Sequence, residues 1–155
     1  MNFGDDLSKF SGRANSNIKK IKREVAIALF SAVIAASPVG DPDLWKSTNK
    51  DSKGRGQGPK GYSGGRFRAN WRCSTNSINR KITENIDPTG SISKAAVASV
   101  CQTANSNDDL YLANSLPYAK KLEYDGHSSQ APQGMVRLNI ARFRVIVKQQ
   151  LAKIR

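Results

Sequence analysis

Residues 14 to 37, ANSNIKKIKREVAIALFSAVIAAS, constrain the fold more than any other stretch. Ile18, Ile21, Val25, Ala28, Leu29, Ala32, Val33 and Ala36 recur at three- and four-residue steps, the mark of one apolar face of an α-helix. Lys19, Lys20, Lys22 and Arg23 fall mostly on the opposite side. Ser37-Pro38 ends the element, because a residue before proline is pushed out of the α region. The same stretch mimics a secretory signal, with a basic run followed by an apolar run. However, the basic run starts only after 18 residues, and Glu24 adjoins the apolar part. The apolar run, about 12 residues, is too short to span a bilayer. The reading is a core helix, with no export and no membrane partner.

A second helical pattern closes the chain. Pro132 suits a first helical turn, where its missing N–H costs nothing. Val136, Ile140, Phe143, Val147 and Leu151 keep helical spacing, with Met135, Ile146 and Ile154 beside them. Arg137, Arg142, Arg144, Lys148, Lys153 and Arg155 make this end wholly basic, which complements a helix C-terminus.

Between the two lie shorter elements. Trp71, Cys73 and Thr75 alternate with polar residues as in a half-buried strand, preceded by a helical turn at 65 to 70. DPTG at 87 to 90 is a turn, and Ser93 is placed to cap a helix running to Ala104. LYLAN, 110 to 114, reads as a second strand, and PYAKKLEY as a short helix ended by Gly126. The expected fold is α+β in one domain, 1 to 155. A small, mostly antiparallel sheet is covered by long N- and C-terminal amphipathic helices, and a long basic loop is inserted at 38 to 65. That loop is rich in Gly, Pro, Ser and Lys and lacks apolar periodicity.

Charge is the unusual feature of the composition. There are 25 basic and 12 acidic residues, a net charge of +13. Such a balance favours an anionic partner. The basic loop residues Lys46, Lys50, Lys53, Arg55, Lys60, Arg66 and Arg68 are candidates to face an acidic protein surface or DNA. Tyr62, Phe67 and Trp71 are interleaved with them, as in surfaces that stack on bases, although Trp71 also suits a core. Cys73 and Cys101 show no metal spacing, and no acidic pair has further ligands at a recognisable distance. The glycine-rich GRGQGPKGYSGG has neither phosphate-loop order. Glu123 and the single histidine, His127, are four residues apart, but Gly126 intervenes. No catalytic constellation, metal site or cofactor site is expected.

Two stretches resemble a known family. NSLPYAKKLEYDGHSSQAPQGMVRLNIARF, and GGRFRANW at 64 to 71, look like the signatures of tail-completion or neck proteins of tailed bacteriophages, the group related to the lambda minor tail protein Z. SPVGDPDLWK after the first helix also fits, whereas Asp125 is an extra residue relative to that pattern. The resemblance implies a structural virion protein without enzymatic activity. It would form a homo-oligomeric ring, often a hexamer, at the neck or head-proximal end of the tail, after assembly in the host cytoplasm. Its partners would be tail-terminator or tail-tube proteins and head-connector or head-closure proteins, with DNA in the channel as a further contact. The alternatives are a tail terminator or head-closure protein of the same joint, or a basic nucleic-acid-binding module. Tyr118, Glu123, Tyr124, Gln130, Pro132, Met135 and Arg137 are the interface candidates within the matching stretch.

Overall fold

The computed structural model describes residues 3–45, 50–56 and 58–153. The chain is α+β. In order it forms α1 (Phe3–Ala36), a 3-10 turn (Pro42–Leu44), α2 (Arg66–Ala69), β1 (Trp71–Thr75) and α3 (Ser91–Thr103). Next come β2 (Leu110–Asn114), α4 (Ala119–Tyr124), α5 (Val136–Ala141) and α6 (Phe143–Lys153). β1 and β2 form a two-stranded antiparallel sheet, pairing Trp71 with Asn114, Cys73 with Leu112 and Thr75 with Leu110. A pair of strands is not stable alone in water, so helices must cover it. α3 lies against β1, α1 lies against α3, and α5 and α6 also pack on α1.

The core is built where these layers meet. Val33 and Ile34 of α1, Phe67, Trp71, Val97, Cys101, Leu116, Leu122 and Met135 are buried together, with Ala26, Ile27 and Phe30 packed alongside. Val33 and Ala36 of the face expected for α1 do pack in the core, but the rest of that face is corrected. Ile18 is 57% exposed, and the core side runs through Ala26, Phe30, Val33 and Ile34. From Val25 onward the helix is apolar nearly all round, so spacing alone cannot choose its inner side. α1 also begins at Phe3 rather than near residue 14.

Three further expectations change. The C-terminal segment is not one helix, because the backbone turns at Arg142 (φ −90°, ψ 1°). That break resets the helical phase. Ile140 and Phe143 are exposed, while Asn139 and Gln150 are buried. Pro132 sits not in a helix but in the turn closed by Gly134 N–H to Ala131 C=O (3.1 Å), and α5 starts after it. Ser93 does not cap α3. Gly90 occupies that position with φ 72°, where a side chain would be strained and its Cβ would press on Ile34. Instead, the buried Asp87 carboxylate accepts the Ser93 N–H (2.8 Å) from outside the helix.

Interior polar groups are matched closely. Trp71 Nε1 donates to Ser37 Oγ (2.8 Å), and Ser37 Oγ donates to Val33 O (2.9 Å). Asn70, fully buried, donates to Arg66 O and Thr83 O and accepts from Thr83 N. The Cys73 and Cys101 thiols, on β1 and α3, are free; the neighbouring Cys101 thiol and burial push the Cys73 thiol up.

Ser37→Ala strands the buried indole N–H, and is expected to cost about 1–3 kcal/mol in urea unfolding. Trp71→Phe added to it removes the orphaned donor, so the double variant should lose less than the two single losses combined. Strict additivity would show that the Ser37–Trp71 bond contributes nothing.

Candidate functional site: the corner between α4 and α5

The corner starts from Glu123, a carboxylate only 7% exposed at the end of α4. Its Oε2 accepts the N–H groups of Met135 (2.9 Å) and Val136 (3.0 Å), and its Oε1 accepts that of Arg137 (2.9 Å). These are the free donors at the start of α5, so one carboxylate caps the helix across the turn. The Arg137 guanidinium pairs with Glu123 Oε1 (3.4 Å), donates to the Glu123 carbonyl oxygen, and lies over the Tyr124 ring at 5.1 Å. Burial acts to raise the Glu123 pKa. The three N–H groups and the Arg137 charge outweigh it and hold the carboxyl below its ordinary value.

Two successive turns bring the chain round. Ala131 N–H reaches Ser128 C=O (3.1 Å), and the Pro132 turn follows. Gly134 takes φ 76°, and a Cβ there would meet the Glu123 backbone and carboxyl group. Gln130 grips the start of the basic loop through both of its amide atoms. Val39 N donates to Oε1 (3.1 Å), and Nε2 donates to Val39 O (2.7 Å).

Each expected interface residue has a definite place. Met135 is core, at 1% exposure, and Glu123 and Gln130 are spent inside the chain. Tyr118 tilts against Phe67 (5.9 Å between ring centroids), and Tyr124 (63% exposed), Pro132 and the outer part of Arg137 face outward. The corner therefore divides into an inner half that sets shape and an outer half free to meet a partner.

The basic candidates divide too. Lys46 lies outside the described residues. Lys50 bridges Gly56 through the backbone, and between them Asp51 accepts the Lys53 and Arg55 N–H groups (both 2.9 Å) and pairs with Arg55 (3.1 Å). Lys50, Lys53, Arg55 and Lys60 are exposed. Arg66 pairs with Glu84 (2.5 Å). Arg68 is structural: its Nε donates to Ser37 O (2.8 Å) and its Nη2 to Ala35 O (3.1 Å), closing the C-terminus of α1. Phe67 and Trp71 are buried, so neither offers a face to a nucleic-acid base. The described part of the loop folds back on itself, with Gly56 N donating to Asp43 Oδ1 (2.5 Å) and Trp45 edge-on to Tyr62 (4.9 Å).

A cavity of about 850 Å³ lies between this loop and the corner, bordered by Trp45, Tyr62, Phe67, Tyr118 and His127. Glu123 is hydrogen-bonded on the other side of α4 and is not part of that lining. Hence the pair four residues apart in sequence is not brought together as an acid–base couple. Among the described residues, no group of three or more His, Cys, Asp or Glu is placed to hold a metal ion, and no helix is long and apolar enough to cross a membrane. Spacing did not reveal the Arg68–Asp87–Ser93 junction; the only sequence signal was the DPTG turn before α3. Comparison of the chain with protein-family models, with curated proteins and with solved structures finds no match. What the geometry defines is a class: an α+β body with a rigid, polar-locked corner.

Glu123→Gln keeps size but weakens acceptance at three N–H groups, and is expected to cost about 1–3 kcal/mol. A carboxyl held below its ordinary pKa stabilises the fold above the unfolded-state value. That contribution is lost as the pH falls through the folded-state value. Urea midpoints of the wild type should therefore drop on acidification below the ordinary carboxylate range, and Glu123→Gln should flatten part of that drop. Parallel curves would remove Glu123 from the account. Gly134→Ala should destabilise through both its positive φ and the Glu123 contact, by about 1 kcal/mol or more in the same assay.

Proposed function

We propose that this chain is a structural subunit of the head–tail joint of a tailed bacteriophage. It forms an oligomeric ring that completes the tail and joins it to the connector. It acts by shape and charge and catalyses no reaction. The observation that carries the reading is the meeting of the two family-like stretches. Phe67 of the first lies against Tyr118 of the second, Asn114 Nδ2 donates to Phe67 O (2.9 Å), and both stretches border the same cavity. Their polar residues Arg68, Asn70, Glu123 and Gln130 are used to hold chain segments to one another. A pattern whose polar side chains are consumed by scaffolding suits a protein that must present a fixed outline to its neighbours. Net charge adds to this, because Lys50, Lys53 and Lys60 are exposed and suit an acidic neighbouring subunit.

The test is imaging of particles made with and without the chain. Its loss should leave separate heads and tails. Tyr124→Ala removes an exposed ring, so the protein should fold normally yet enter particles less efficiently. Normally coupled particles without the chain would sink the proposal. DNA affinity of the isolated protein that falls steeply with salt would instead favour the nucleic-acid reading.

A further inference from the structure

The sequence holds two cysteines, and the fold sets them on facing surfaces. Side chains alternate along a strand, so Trp71, Cys73 and Thr75 share one side of β1. Leu112, the register partner of Cys73, lies on the same side of β2, as does Leu110. Cys73, Leu110 and Leu112 all pack against the core. α3 lies against β1, and Ser93, Val97, Cys101 and Ala104 are buried along it and at its end, at steps of three and four residues. None of the four is larger than valine, so the helix can come close to the sheet. Cys101 is fully buried, Cys73 is half-buried, and both thiols are free.

A disulfide needs two cysteines whose side chains point at each other from closely packed backbones, and a strand and a helix packed through their small residues provide that. Each thiol also acts on the other's proton. The Cys101 thiol and burial push Cys73 up, while Cys73 holds Cys101 below its ordinary value against the opposing effect of burial. No third cysteine competes. Because Cys101 has no exposed surface in the folded chain, Cys73 is the one thiol partner it can meet without unfolding.

We propose that Cys73 and Cys101 form a latent disulfide site, which hydrogen peroxide closes within the folded chain, fastening α3 to the sheet. Cys73 is the sulfur that a small oxidant can reach. In the singly ionised pair, a proton passes from Cys73 to the Cys101 sulfur. The Cys73 thiolate then attacks one peroxide oxygen, and the O–O bond breaks to leave a sulfenic acid and hydroxide. The hydroxide takes the proton from Cys101 and becomes water. The Cys101 thiolate attacks the Cys73 sulfur and expels hydroxide, which a solvent proton converts to water. In sum, two thiols are oxidised to one disulfide, and one peroxide is reduced to two waters. In a reducing compartment the pair stays a dithiol. The site uses neither the corner nor the basic loop, so it does not rest on the ring reading.

Peroxide treatment of the full chain, followed by alkylation of remaining thiols in urea and peptide mass mapping, tests it. In the folded wild type the peptides carrying Cys73 and Cys101 should be joined. The ratio of this cross-link to sulfinic acid and to chain-to-chain disulfide should be about tenfold or more higher than when peroxide is added in unfolding urea. Closing a loop of about 30 residues restricts the unfolded chain, so the oxidised sample should unfold at a higher urea concentration than the same sample after dithiothreitol. Cys101→Ala should leave Cys73 as a sulfenic acid that dimedone traps. A folded wild type in which Cys73 gains oxygen, or pairs between copies, without joining Cys101 overturns the proposal. So does a cross-link found only in urea, or a urea midpoint that does not rise. None of these outcomes touches ring formation, so the two proposals fail separately.

Discussion

The Glu123 carboxylate decides the shape of the corner. Three backbone N–H groups, one guanidinium and a left-handed glycine converge on it across the turn from α4 to α5. A charge at 7% exposure is costly unless its oxygens are satisfied, and here each has at least one donor. Met135, whose N–H it holds, is among the most deeply buried side chains of the core. The direction of α5, the seating of Met135 and the exposure of Tyr124 are thus consequences of one carboxylate rather than three separate facts.

A second junction holds the opposite side. Arg68 reaches Ser37 O and Ala35 O at the end of α1, while its own carbonyl oxygen receives the Ser93 hydroxyl (2.9 Å). Asp87 grips the start of α3; burial acts to raise its pKa, but the hydrogen bonds from Ser93, Ile92 and Gly90 together keep the carboxyl below its ordinary value. Farther along α1, Arg23 Nη2 donates to Ala104 O (2.7 Å) and Lys22 Nζ to Ser106 O (2.8 Å), tying down the end of α3 and the loop after it. Several cations of a strongly basic chain are therefore bound to its own carbonyl oxygens, and only the remainder can meet a partner.

Much of this architecture was legible in the sequence, and the failures have physical causes. Both strands, the helical turn before β1 and the PYAKKLEY helix were readable because local period and turn chemistry agree there. The inward side of α1 was readable only in part: Val33 was expected there, but Ala, Ile, Leu and Phe surround the second half and tertiary contacts alone select Ala26, Phe30 and Ile34. The break at Arg142 was hidden since no Pro or Gly marks it. Glu123 was visible as a member of the corner, but its role was not. A carboxylate reaching residues twelve to fourteen positions ahead leaves no short-range pattern. Nor did sequence distinguish Arg68, bound internally, from the exposed Lys53 and Lys60.

The Gln130 clamp on Val39 has a mechanical corollary. At the far end of the basic segment, Gly64 packs so closely on Gly40 that a methyl group there would collide with the Gly40 carbonyl. Both feet of the segment are thus pinned at one spot on the body, like the two ends of a handle. The ordering cost of closing a loop between fixed feet grows only with the logarithm of its length. Evolution can therefore lengthen, shorten or recharge the handle with little penalty to the body, which makes it the place where this scaffold most easily varies.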